Sequence, residues 1–224
     1  MENSMKNGGY MKKKKAFTLA EVLITLGVIG IIAAMTLPTL VQNYQKNLTT
    51  NRLKHFSSLM QQAVQMRKKD EIDGNFKTLT GVDVLAFSPE DMEKYVNIYL
   101  KPYIKILSMK KMTKGMALKF ANSSGVYIQK SYNCTDTDSV GCNLYMLFCP
   151  QYKYCERIDE SKQISDIVNS KYIFAFWNSG TVPREYVSSK YTREELLQKC
   201  KNIPYYCSSL IEYDGWEIKD DYPW

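Results

Sequence analysis

Three features of this sequence predict an α+β fold, a long N-terminal α-helix packed on a small antiparallel β-sheet domain. Apolar residues fill the chain from Val22 to Val41 and then recur at helical spacing to about Lys69. From Gly115 onward the apolar period shortens to two, the signature of strands with one buried face. All six cysteines lie in the C-terminal half, where they can staple a small extended domain.

The 224 residues, 45% hydrophobic and 24% charged, have ordinary globular composition and enough apolar material for one sizeable core. Formal net charge is +7, but Lys6 and Lys12 to Lys15 against Glu2 place a net four of those charges before Phe17. The basicity is mostly a local N-terminal feature and does not by itself call for a nucleic-acid partner. The first eleven residues read as unstructured.

The twenty residues Val22 to Val41 carry no charge and, at ~1.5 Å per residue, reach about 30 Å as a helix, the thickness of a bilayer's hydrocarbon core. Lys12, Lys13, Lys14 and Lys15 precede this run and no comparable cluster follows, which puts the N-terminus in the cytoplasm and the bulk of the chain outside. A secretory signal places its small-residue cleavage site after the apolar centre; here the small residue, Ala16, stands before it. A cut after Ala16 removes the lysines, keeps the helix and leaves Phe17 with a free ammonium four residues from Glu21. A carboxylate in a helical span costs roughly 2.5–3.5 kcal/mol, so it calls for a partner. The Phe17 ammonium of a neighbouring copy supplies one, and the start of the trimmed helix also favours an anion. The plainer reading is a signal anchor with a chance acid.

Ala16-Phe17-Thr18-Leu19-Ala20-Glu21-Val22-Leu23-Ile24 resembles the processing and methylation motif of type IV prepilins and type II secretion pseudopilins, with Gly30 and Pro38 where that family often has glycine and proline. The resemblance implies cleavage between Ala16 and Phe17 by a prepilin peptidase, N-methylation of Phe17, and assembly directed by Glu21. One position departs from the pattern, since the family usually has Gly before the cut. The implied organisation is a cytoplasmic leader, residues 1–16, that is removed; a transmembrane and filament-core helix, residues 17–41; and an extracytoplasmic pilin-like domain, residues 42–224. Implied partners are identical or homologous pilin subunits, the peptidase, and an inner-membrane assembly platform with its ATPase. The chain would sit as a single-pass protein of the inner membrane and then in a filament. The tail, with Gly215-Trp216 and Asp221 to Trp224, also resembles that of some pilin-like proteins.

Past the apolar run, Leu53, Phe56, Met60, Ala63 and Val64 share one helix face, and Asp73-Gly74 supplies a stop. His55, the only histidine, lies in this helix and reads as a surface residue. Ser88 caps a short helix that Pro89 opens and Pro102 ends. Met116, Leu118 and Phe120 alternate, a turn follows at Asn122 to Gly125, and Val126 and Ile128 resume, which predicts a hairpin. Tyr172 to Trp177 predicts a strand with a turn at Asn178 to Gly180, "REELLQKC" a short helix, and Asp214-Gly215 a turn.

The cysteines stand at 134, 142, 149, 155, 200 and 207 with no C-x-x-C pair, which argues against zinc knuckles and redox pairs. Six allow fifteen pairings. Short loop closure alone favours neighbours, Cys134 with Cys142, Cys149 with Cys155 and Cys200 with Cys207. Each bridge is worth on the order of 2–4 kcal/mol.

No enzyme is expected, because the chain has no G-x-S-x-G and no phosphate-binding G-x-x-x-x-G-K-[ST] loop. No cofactor is expected either. Calcium is the one ion considered, for Asp136 and Asp138 in one loop and Asp220 and Asp221 near the end, and two carboxylates are too few to argue a site. Lys105, Lys110, Lys111, Lys114 and Lys119 form the densest basic cluster of the mature chain, which raises DNA or anionic lipid as ligands if it is exposed. Two classes of function follow: a structural filament subunit, of pilus or secretion pseudopilus, and a minor or tip pilin whose head binds DNA or a surface.

Overall fold

A computed structural model describes residues 18–72, 88–130, 144–178, 183–184 and 191–224. Two compact units divide the chain at Tyr44 and Gln45. Helix α1, Leu19–Ile72, runs unbroken through Pro38. Its predicted stop at Asp73-Gly74 lies outside the described residues.

In the second unit the sheet is an antiparallel meander in which every strand pairs with its sequence neighbours. Its order is β1 (Ile106–Lys111), β2 (Gly115–Phe120), β3 (Gly125–Lys130), β4 (Leu144–Cys149), β5 (Phe174–Asn178) and the two-residue β6 (Pro183–Arg184). The expected hairpin is β2–β3, with Met116 opposite Ile128 and Leu118 opposite Val126. Strand β1, across from β2, and β4, between β3 and β5, were not expected from the sequence. The strand expected from Tyr172 begins two residues later: β5 starts at Phe174, because Asn169 Oδ1 accepts from the backbone N–H of Lys171 and Ile173 and holds those residues in a turn.

Both faces of the sheet are covered, and the alternation of side chains sorts two cores. One face presents Met116, Leu118, Val126, Ile128, Met146, Phe148, Phe174 and Phe176 to Leu53, Phe56, Met60 and Ala63 of α1. Phe56 stacks on Phe148 at 4.6 Å between ring centres, meets Phe176 edge-on at 5.0 Å and lies 5.9 Å from Phe120. The other face presents Ala117, Tyr127, Leu147 and Ala175 to a layer made by α3 (Tyr152–Cys155), α4 (Ile164–Ile167) and their flanks, including Ile158, Val168 and Ile173. Two-sided burial explains why β4, "LYMLFC", lacks alternation in its sequence. Glu160 ties this second layer to the β1–β2 turn by accepting from the N–H groups of Thr113 (2.7 Å) and Lys114 (2.8 Å) and from buried Tyr127 Oη (2.7 Å).

Helix α2, Pro89–Tyr95, starts as expected, with Ser88 and Asp91 forming a reciprocal capping box, and continues as a π-turn over Val96–Leu100. Helix α5, Arg193–Asn202, has the same box from Thr192 and Glu195. A 3-10 turn, Pro204–Tyr206, leads to α6, Cys207–Tyr213, which the sequence reading missed. Gly215 (φ 73°) and Trp216 (φ 68°) reverse the chain there in the left-handed region. Disulfides Cys149–Cys155 and Cys200–Cys207 are formed, with Cα–Cα distances of 5.7 and 4.6 Å. Cys134 and Cys142 lie outside the described residues.

The C-terminal segment is held by Arg193, whose guanidinium takes Asp214 through Nε (2.7 Å) and Nη2 (3.0 Å) and Asp221 through Nη1 (2.7 Å) and Nη2 (2.8 Å). Lys219 Nζ adds a 2.8 Å contact to Asp214.

Two predictions follow from this packing. Phe56→Ala should lower unfolding free energy by about 3–5 kcal/mol, the usual cost of emptying an aromatic core position, measured by urea denaturation. Arg193→Gln should lose stability in a pH-dependent way. Burial pushes the Asp214 carboxyl up, but bonds from Arg193 and Lys219 outweigh it and leave it low; the Arg193 bond holds Asp221 low as well. Carboxyls lowered in the folded state contribute stability above the ordinary carboxylate range and lose it as pH falls through their lowered values. The gap between parent and R193Q in denaturant midpoint should therefore be widest near pH 7 and close towards pH 2; a gap independent of pH would refute the assignment.

Candidate functional site: the N-terminal helix

The first unit is the apolar part of α1. From Val22 to Gln45 no side chain is charged, and the large apolar residues are exposed, with Ile24 at 67% and Met35 at 75%. Exposure of this kind along a whole helix marks a surface meant for lipid or for other helices. The helix is long and apolar enough to cross a membrane. A Cβ built on Gly27 or Gly30 meets nothing within 4 Å, so the surface is open at both, and close helix approach is geometrically free there.

Glu21 stands alone as the charge on this surface. Thr18 precedes the helix as its cap: the Thr18 N–H and Oγ1–H both donate to Glu21 Oε2 at 2.8 Å, and the Glu21 N–H donates to Thr18 Oγ1 at 3.2 Å. This is a capping box, written in the sequence as Thr18-Leu19-Ala20-Glu21, and the reading by charge cost alone passed over it. Within one chain, then, the carboxylate already has a partner and seals the helix start. Its Oε1 accepts no hydrogen bond among the described residues, which keeps one oxygen available to a second donor.

Pro38 remains inside α1, where it has no N–H to donate. Ala16, Phe17 and Lys12 to Lys15 lie outside the described residues, so the processing point itself has no geometry here. His55 is exposed, as its place on the helix suggested.

Other candidate chemistry is largely absorbed by the fold. Asp221 is engaged by Arg193, and Asp136 and Asp138 lie outside the described residues. Among the described residues no group of three or more His, Cys, Asp or Glu side chains could hold a metal ion. Within the basic cluster, Lys111 pairs with Glu93 at 2.8 Å and lies 4.0 Å from Glu90, and Lys110 Nζ donates to the Glu156 carbonyl at 3.0 Å.

Residues 39–224 match the model of a family described as a family of unknown function (DUF6613), and residues 11–37 match the prokaryotic N-terminal methylation motif. No curated protein and no solved structure matches the chain. The motif match covers the lysines, the small residue before Phe17, the capping box and most of the apolar span; the family match begins near the end of that span and runs through the head. The chain therefore belongs to the family of unknown function DUF6613 and, by its methylation motif, is a type IV prepilin- or pseudopilin-like protein.

Proposed function

We propose that this protein is a non-enzymatic structural subunit of a type IV pilus or a type II secretion-like filament. The observation that carries the reading is the coincidence of the methylation motif with an exposed, uncharged helix surface that contains a single carboxylate. The chain enters the inner membrane with its lysines in the cytoplasm, a prepilin peptidase cuts between Ala16 and Phe17, and Phe17 is N-methylated. The trimmed helix then leaves the bilayer for a bundle of identical helices, exchanging lipid for equally apolar neighbours. That exchange has little hydrophobic driving force of its own, so close packing at Gly27 and Gly30 and one polar contact must steer it. Glu21 supplies the contact: Oε2 remains with Thr18 while Oε1 takes the Phe17 ammonium of the incoming subunit. Repetition of one such heterologous contact without closure builds a fibre. The assembly platform and its ATPase supply the energy, since no nucleotide-binding loop is present in the chain.

The second reading, a minor or tip pilin whose head binds DNA or a surface ligand, rests on the lysines between 105 and 119, of which Lys111 is paired with Glu93.

Two measurements test the proposal. Mass spectrometry of the mature chain, from cells with an active processing enzyme, should give Phe17 as an N-methylated first residue; a chain that still begins upstream of Lys12 would refute it. Glu21→Gln keeps the Thr18 contacts in large part and removes the charge. Membrane insertion should be unchanged, while sheared-fibre yield should fall about tenfold or more, the factor that ~1.4 kcal/mol of lost subunit attraction represents.

A further inference from the structure

Residues Gln45 to Arg52 of α1, the turn closed by Cys149–Cys155, and the segment Lys171–Tyr172 line a cavity of about 140 Å³ together with Trp224. Arg52, Lys153 and Lys171 bring three positive charges to it, and no Asp or Glu side chain lines it. Among the described residues none of these cations has a carboxylate partner. By contrast, Lys94, Lys111 and Lys219 are all paired with acids.

The cations are nonetheless held in place. Lys171 Nζ lies 5.4 Å from the centre of the Tyr172 ring and 5.1 Å from that of Trp224. Lys153 Nζ lies 5.0 Å over Tyr154, whose ring packs 4.6 Å from that of Tyr172. Arg52 Nη1 donates to the Pro150 carbonyl at 2.6 Å. Aromatic faces and a carbonyl position a cation without cancelling its charge, whereas a carboxylate cancels it. The frame behind them is fixed as well: Asn169 bonds the backbone of Lys171, and Tyr222 Oη donates to the Ser170 carbonyl at 2.8 Å. Trp224 Nε1–H is buried with no acceptor among the described residues. The cavity thus collects positioned cations around a space that no carboxylate side chain lines.

We propose that this cavity binds a phosphate group, free or as the terminal phosphate of a small ester. Three cations match a multiply charged oxyanion with several acceptor oxygens better than a carboxylate, and guanidinium and ammonium groups are the usual phosphate donors. The volume is well below the roughly 300–1,000 Å³ of sites for larger ligands, so it suits the phosphate and a few attached atoms. This site does not depend on the filament reading, because none of its residues belongs to the first unit of the chain.

The test uses the full chain in non-ionic micelles, labelled with ¹⁵N, and follows the tryptophan indole N–H signals as inorganic phosphate or glycerol 3-phosphate replaces chloride at constant ionic strength. The Trp224 signal, assigned through Trp224→Phe, should move saturably with at least one of the two probes. Lys153→Gln and Lys171→Gln should each weaken binding about tenfold or more, as expected for the loss of one charge-assisted bond. Lys101→Gln, on an exposed lysine elsewhere, should leave it unchanged. Tighter binding of glycerol 3-phosphate assigns an ester, and tighter binding of inorganic phosphate assigns the free anion. Equal responses to phosphate and chloride would overturn the proposal, as would parent-like binding by both lysine variants with unchanged melting temperatures. Binding of phosphatidylglycerol vesicles or a thymidine oligonucleotide when neither small probe binds would overturn it too.

Discussion

The head of this protein depends on one contact, the insertion of Phe56 from α1 among Phe120, Phe148 and Phe176 of the sheet. Phe56 stacks on one ring and meets another edge-on, and both arrangements are favoured by the aromatic quadrupole. Leu53, Met60 and Ala63 extend the same face along the helix at the spacing of one turn. This contact registers the helix on the meander, so that β2 to β5 can each bury their alternate side chains against it. A helix that is polar on its other faces has no comparable alternative for that stripe.

With one sheet face committed to α1, the other needs a cover of its own, and the segment between β4 and β5 provides it. That segment has little regular structure, only the short helices α3 and α4, so its order rests on apolar anchors and specific bonds. Ile158, Ile164, Ile167 and Ile173 are the anchors. Cys149–Cys155 closes its start, Glu160 ties its middle to the β1–β2 turn, and Asn169 shapes its end. The same segment carries Tyr154, Lys171 and Tyr172, so the fixed cations around the small cavity are a consequence of how the second face is covered.

Charge is used in two distinct ways in the chain. Arg193 faces two carboxylates and joins α5 to the C-terminal segment, a structural use in which the charges cancel. Glu21 is isolated on an apolar surface and bonded through one oxygen to Thr18, and in the proposed function its remaining oxygen would meet the next subunit. One residue thus caps its own helix and, in the proposed function, would also contact the next subunit.

What the sequence determined by itself was whatever depends on neighbours close along the chain. The lysine tract, Ala16 and Phe17, Glu21 and the apolar run were legible because a motif of this kind is local, and the buried stripe of α1 because helical periodicity is local too. The β2–β3 hairpin and the two described disulfides are also short-range closures. Tertiary structure alone decided the rest. β1 and β4 are strands because of their partners: β1 is an edge with mostly exposed residues, and β4 is buried on both sides, so neither writes a period of two. The gathering of Arg52, Lys153 and Lys171 around one cavity brings together residues about a hundred positions apart. Such groupings depend on which faces of the sheet are covered and by what, and no local pattern of residues records that.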